Sequence, residues 1–251
     1  MTIKRLRTST ILGAVAALTF AAPAAAQESV EWSYEGPTGP ANWGSLSPAF
    51  RTCGEGSRQS PIDLREPVRR PAELIRTAYT PSAVTQMNNG ETVEVRSDLA
   101  QTLFVGDKPY SLVQFHFHSP AEHPVAGAVK PLEIHFVHQA ADGERAVLGA
   151  LVRAGRENAE FGLLAEAFPQ LAGEVARVET PIDLQRLLPA SRRAYRYPGS
   201  LTTPPCTEGI RWMVLAKPIQ ISEHQLEKLR ETVEGNARPA QPLNGRPLIL
   251  F

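Results

Sequence analysis

Two stretches hold the residue types that could do chemistry: Gln114-Phe115-His116-Phe117-His118 and Glu133-Ile134-His135-Phe136-Val137-His138. In an extended strand, side chains alternate between faces, so His116 and His118 point the same way, about 6.6 Å apart along the chain. Gln114 shares their parity. Phe115 and Phe117 face the other way and suit a core. The second stretch repeats the pattern, with Glu133, His135 and Val137 on one face and Ile134 and Phe136 on the other. Pro124, Gly127 and Pro131 mark turns between the two. Paired as antiparallel neighbours, the stretches bring three imidazoles together. Three histidines with one open position form the donor set of a catalytic zinc site. A ligating histidine usually gives its other N–H to a further partner, and Gln114 and Glu133 stand two residues from His116 and His135, where such partners belong. Histidines also occur as hydrogen-bonded core or surface residues, and spacing alone leaves that reading standing.

The elements that must position these residues are short strands. Leu74 to Tyr79, Val84 to Met87, Thr92 to Val95, Leu99 to Val105, Leu112 to His118, Leu132 to His138, Ala146 to Val152 and Ile210 to Ala216 all read as extended, with Asn88-Asn89-Gly90 as a tight turn. Residues 28–60 read as an irregular segment that wraps the core, anchored by Trp32, Tyr34, Trp43 and Phe50. Helical signals are few. Phe161 to Phe168 is a short apolar segment ending at Pro169. Residues 222–233 open with a capping box (Ser222, Gln225) and a hydrophobic staple (Ile221, Leu226), then line Leu226, Leu229 and Val233 along one face. The expected fold is mainly β: one domain with a large, mostly antiparallel twisted sheet and a few surface helices.

Residues 1–26 do not belong to that fold. Lys4, Arg5 and Arg7 precede an apolar run from about Ile11 to Ala22, and Ala24-Ala25-Ala26 supplies an A-x-A cleavage site. The run is short for a transmembrane helix. We read it as a cleaved secretory signal with no stable membrane anchor, which puts residues 27–251 in the periplasm or outside the cell; an uncleaved anchor is the alternative. Without those three basic residues, 23 Lys and Arg face 26 Asp and Glu, a balance of −3. That argues against nucleic acid or an anionic membrane as partner. About 225 residues suffice for one sizeable core. In an exported chain the two cysteines, Cys53 and Cys206, are candidates for one disulfide; buried free thiols are the alternative.

With these features in place, the chain closely resembles the α-class carbonic anhydrases, and specifically their exported bacterial members. The resemblance rests on Gln59-Ser60-Pro61-Ile62-Asp63, the two histidine stretches, Glu122-His123, Ala146-Val147-Leu148-Gly149, Tyr197 to Pro205 and Arg238 to Pro242, and covers nearly all of residues 27–251. Carbonic anhydrase is itself the standing example of a three-histidine zinc site that brings bound water to a pKa of about 7. The resemblance therefore implies a zinc (Zn2+) enzyme that interconverts carbon dioxide and bicarbonate, small-molecule substrates both, and it is compatible with a homodimer.

The implied roles fall residue by residue. His116, His118 and His135 take the zinc. Gln114 and Glu133 orient His116 and His135, and the backbone carbonyl of Asn236 orients His118. Thr202 accepts from zinc-bound hydroxide and donates to Glu122, since a carboxylate can only accept. Thr203 contacts bicarbonate. Val137, Val147, Leu201, Ile210 and Trp212 form the dry wall that an apolar gas needs; from the residues alone they read as ordinary core. His123 and His138 become structural histidines under the site, and His224 a solvated one. Cys53 and Cys206 match the disulfide of bacterial members, and cis bonds are implied before Pro61 and Pro205.

One departure stands out. The residue after the Asn-Asn-Gly turn is a proton-shuttling histidine in well-studied fast members, whereas here it is Glu91. Two rivals remain at this point. His116-x-His118 with Glu122 also fits a cupin spacing, which would make Glu122 a ligand of iron or manganese, although the cupin's second motif is missing around His135. A catalytically dead binding module is the other, weakened by the presence of all three ligand histidines.

Overall fold

The computed structural model describes residues 30–71 and 74–251; the expected signal segment 1–26 lies outside the described residues. The strands, in chain order, are β1 (Val68–Arg69), β2 (Ile75–Ala78), β3 (Ser82–Asn88), β4 (Val93–Ser97), β5 (Thr102–Val105), β6 (Lys108–His118), β7 (Leu132–Gln139), β8 (Arg145–Ala154), β9 (Val175–Ile182), β10 (Ala194–Ser200), β11 (Glu208–Ile221) and β12 (Ile249–Leu250). They form one 12-stranded sheet in the order β1-β12-β10-β11-β8-β7-β6-β4-β3-β9, with β5 joining β2 to β6. Most neighbours are antiparallel, but β8 and β11 pair in parallel, as do β1 and β12. Hence the sheet is mixed. No helix among the described residues is long and apolar enough to cross a membrane.

The period-2 alternation read in the sequence separates two cores. Phe115, Phe117, Ile134, Phe136, Leu148, Ala150, Met213 and Leu215 bury on one face. Val147, Leu151, Ile210, Trp212 and Val214 bury on the other, with Ile62, Leu64 and Tyr197. β6 breaks strict alternation once. Between Leu112, opposite His138, and Gln114, opposite Val137, the register shifts by one residue. Such a bulge re-aims side chains. It lets Leu112 pack against the first core while Gln114 faces the second side with the histidines.

The helices are few. α1 (Trp43–Leu46) and α2 (Thr52–Glu55) are single turns in the N-terminal segment, where Trp32, Tyr34 and Trp43 meet edge to face at 5.1–5.7 Å. α3 (Ala159–Glu166) is capped by Asn158, and α4 (Glu223–Val233) carries the expected capping box on Ser222 and Gln225. The hairpin between β3 and β4 needs Gly90, whose φ is 92°, and it is tied by Asn88 Oδ1 and Asn89 Oδ1, which accept from backbone N–H groups of residues 90–92. The expected cis bonds precede Pro61 and Pro205, and a third precedes Pro120.

Cys53 and Cys206 are bonded across 153 residues, with Cα atoms 5.0 Å apart. Closing a loop of that length removes chain entropy worth at most about 5 kcal/mol from the unfolded state. We expect the double variant Cys53→Ser, Cys206→Ser to melt on the order of 10 °C lower. An unchanged melting temperature would show that the loop constraint contributes nothing.

Candidate metal centre

β6 and β7 pair so that His116 lies directly opposite His135 and His118 opposite Glu133. Directly opposed residues share a face, so all three imidazoles stand on one side of the sheet. Ring centroids are 5.0 Å apart for His116 and His118, 5.3 Å for His116 and His135, and 4.5 Å for His118 and His135. One nitrogen from each lies within 4.8 Å of the others, a grouping able to hold a metal ion.

Each ring is oriented from behind. His116 Nδ1 donates to Gln114 Oε1 (2.8 Å) and His118 Nδ1 to the carbonyl of Asn236 (2.8 Å). His135 Nε2 lies 3.1 Å from Glu133 Oε1. These oxygens only accept, so they fix the tautomers and leave His116 Nε2, His118 Nε2 and His135 Nδ1 as lone-pair donors. His118 Nε2 is buried with no hydrogen-bond partner, and His135 Nε2, though 3.1 Å from the carboxylate, does not complete a hydrogen bond to it. Burial pushes the His116 pKa well below its usual value, helped by the charges of the other two rings, and brings His118 down to about 4. Neutral, convergent, pre-oriented imidazoles fit a metal ion's needs.

The support continues outward. Asn236 is more than a carbonyl: its side chain accepts from the Ser119 N–H and donates to the carbonyls of Glu91 and Phe117. Gly149 sits opposite His135, where a Cβ would come within 2.9 Å of Glu133 Oε1. Burial alone would raise the Glu133 pKa. The His123 and His135 charges and hydrogen bonds outweigh it and hold the carboxylate well below its usual range. His123 spans Glu133 Oε1 (2.8 Å) and the Tyr197 hydroxyl (2.7 Å), and His138 Nε2 meets the Tyr79 hydroxyl (2.7 Å). Both are thus bonded inside the fold, as expected.

Glu122 is 2 % exposed. Its Oε1 accepts from the Arg238 N–H (2.8 Å), and its Oε2 lies 3.6 Å from His118 Nε2 and 3.8 Å from His135 Nδ1. Burial pushes its pKa up to about 7, against the lowering influence of His135, the Arg238 N–H and the Thr202 hydroxyl. Thr202 lies close enough to favour the carboxylate without completing a hydrogen bond to Oε2. Glu122 stands outside the three-ligand group, which removes the support for the cupin reading.

A cavity of about 310 Å³ opens in front of the rings, lined by His116, His135, Gln114, Thr202, Thr203, Val137, Val147, Leu201 and Trp212. One expectation needs correction. Ile210 does not line this cavity; it sits in the core cluster with Val147 and Trp212 and faces a neighbouring groove. Glu91 does not line it either. The β3–β4 turn directs Glu91 into a separate pocket with Trp32, Tyr34, Glu35 and Asn236. Missing from the sequence reading are Glu94 and Arg96, which line the cavity and pair at 2.6 Å. They alternate with Val93 and Val95, which bury in the first core, and that alternation was the available signal.

The family model for eukaryotic-type carbonic anhydrases matches residues 38–250. The chain belongs to the α-carbonic anhydrase family. A carbonic anhydrase of Pectobacterium carotovorum is 40 % identical over 227 residues, covering 90 % of this chain and 93 % of its own. Dioscorin DB3L of Dioscorea polystachya is 39 % identical, covering 86 % and 83 %. The solved α-carbonic anhydrase of Thermovibrio ammonificans, in complex with the inhibitor sulfanilamide, superposes with a TM-score of 0.85 at 41 % identity, covering 88 % and 99 %. As a carbonic anhydrase the chain is an enzyme of reversible carbon dioxide hydration, acting on small molecules.

His138 yields a test of the buried network. Burial pushes its pKa down to about 3, partly offset by backbone hydrogen bonds, so the folded chain keeps it neutral while the unfolded chain protonates it below about 6.5. Stability is therefore retained above about pH 6.5 and lost as pH falls towards 3, by up to roughly 5 kcal/mol from this one group. His138→Gln should flatten the dependence of unfolding free energy on pH in that window by up to about 1.4 kcal/mol per pH unit. Denaturant titrations at a series of pH values check this; an unchanged slope sinks it.

Proposed function

We propose that this enzyme hydrates carbon dioxide at the three-imidazole centre with one zinc ion held by His116 Nε2, His118 Nε2 and His135 Nδ1. The observation that carries the reading is the convergence of three neutral imidazoles on one face, two hydrogen-bonded from behind and the third against a carboxylate, beside a cavity. Three nitrogen donors with an open side suit zinc rather than magnesium or calcium. Zinc bound there supplies a Lewis acid that brings the pKa of its water to about 7, the value known for carbonic anhydrase, so that a hydroxide nucleophile exists at neutral pH.

The chain's own residues do the rest. Positive charge among the imidazoles favours the ionised form of Glu122. An ionised Glu122 can only accept, so the Thr202 proton turns towards it and the Thr202 oxygen is left to accept from the attacking group. That fixes which lone pair faces the carbon. Val137, Val147, Leu201 and Trp212 give the cavity an apolar wall, where a gas that hydrogen-bonds poorly displaces weakly held water. Thr203, on the same cavity, meets the product anion. We read the chain as exported, cut after about Ala26; its disulfide supports an oxidising compartment.

Proton export is the weak step. An unperturbed glutamate has a pKa of about 4.3, so a transfer from water at about 7 is uphill by roughly 3.7 kcal/mol. Burial raises the Glu91 pKa, which narrows the gap, but Glu91 faces another pocket. We expect kcat to rise with added imidazole buffer while kcat/KM stays flat. If wild-type kcat ignores buffer, a different group carries the proton.

The assignment itself is tested by His118→Ala. Zinc content by mass spectrometry and carbon dioxide hydration by stopped flow should vanish together. Full activity retained in that variant refutes the three-histidine centre.

A further inference from the structure

Arg238 is a buried cation to which the reaction above gives no part. It is 2 % exposed. Burial brings its pKa down to about 10, opposed by the Glu122 carboxylate, so it stays charged at neutral pH. Its backbone N–H holds Glu122 Oε1 at 2.8 Å. Its guanidinium donates through Nη1 to Gln59 Oε1 (2.9 Å) and the Ser60 carbonyl (2.8 Å), and through Nη2 to the Cys53 carbonyl (3.0 Å). It also lies 5.5 Å from the centre of the Trp43 ring.

These contacts close a circuit. Gln59 Nε2 donates to the Cys206 carbonyl (3.2 Å). Cys206 is bonded to Cys53, and its N–H donates to the Thr203 carbonyl (2.8 Å). Thr203 adjoins Thr202, whose hydroxyl acts on Glu122. One end of the circuit thus holds the Glu122 carboxylate, and the other holds the backbone of the loop that carries Thr202. The Arg238 guanidinium joins them. Its planar fork reaches three acceptors at once, which a lysine's single nitrogen on a flexible stem does not reproduce.

We propose that the Arg238 side chain is a positioning residue for the Thr202–Glu122 pair, holding hydroxyl and carboxylate in mutual register through Gln59 and the Cys53–Cys206 bridge. The inference rests on the reading of that pair given above. Residues that act through one another give non-additive losses, whereas an independent structural role multiplies with the other loss.

The test is a double-mutant cycle on zinc-loaded protein, read as kcat/KM for carbon dioxide hydration by stopped flow. Thr202→Ala should lower kcat/KM about 10²-fold, as loss of a transition-state hydrogen bond does. Arg238→Met should lower it about tenfold, yet by less than about twofold when Thr202→Ala is already present. Arg238→Lys should recover only part of the single-variant loss. Zinc stoichiometry should stay at one, and amide hydrogen exchange at position 238, read by NMR, should speed up in Arg238→Met as the hold on Glu122 loosens. Losses that multiply through the cycle, or an unchanged amide, overturn the proposal. If Thr202→Ala alone costs under about threefold, the reading of the pair fails first and this inference falls with it. Should Arg238→Met not fold, Gln59→Leu, which cuts the same circuit and leaves Arg238 in place, enters the cycle under the same criteria.

Discussion

The structure depends on one register: His116 opposite His135 across β6 and β7. Side chains in a strand alternate with period two, so slipping either strand by one residue sends its histidines to the opposite face and its phenylalanines into the cavity. Phe115, Phe117, Ile134 and Phe136, all fully buried, hold the register from behind. Their burial is large, non-directional and available in only one pairing. The bulge at Val113 belongs to the same constraint. Without it, Leu112 and Gln114 would share a face, and either a leucine would stand beside the histidines or an amide would enter the apolar core. Catalytic geometry here is a by-product of packing the far side of the sheet.

The parallel pairing of β8 with β11 finishes what β6 and β7 begin. It sets Trp212 beside Val147 and Val214 beside Gly149. The first pair walls the cavity. The second leaves room behind the rings: Gly149 has no Cβ to press on Glu133, which reaches His123 and His135 together. A polar layer and an apolar layer then lie side by side on one face. The split follows from position along the strands, because residues two apart share a face but differ in what stands opposite them.

Much of this was legible. Alternation around the histidines fixed which side chains converge, and the capping box on Ser222 and Gln225 marked α4. Other parts were not. β9 is an edge strand with most residues exposed and Pro181 inside it, so it lacks the alternation that reveals a half-buried strand. β10 contains Pro198-Gly199, which reads as a turn, yet it pairs in register with Arg211 and Ile210. The parallel pairing joins segments far apart in sequence, and local pattern says nothing about such partners. Ile210 was placed on the cavity wall by resemblance; it shares a face with Trp212 but lines a neighbouring groove. The turn at Asn88 to Gly90 was plain, but the direction in which it sends Glu91 depends on how Asn236 ties the Glu91 carbonyl, a contact across 145 residues. The disulfide partners were legible because only two cysteines exist.

Two buried carboxylates stand within reach of the same imidazoles, and their environments drive them apart. Glu133 receives the His123 N–H groups from backbone and ring and lies against His135, and these outweigh burial, so it is a fixed anion. A fixed anion suits a partner that must hold one tautomer of His135 at every stage of turnover. Glu122 has one complete hydrogen bond, from a backbone N–H, and burial pushes its pKa to about 7. Its charge therefore responds to what the rings hold. Under the proposed mechanism, positive charge gained at the centre would strengthen Glu122 as the acceptor for the Thr202 hydroxyl. The difference traces to donor count: a histidine at position 123 beside Glu133, and only a main-chain amide and a threonine beside Glu122.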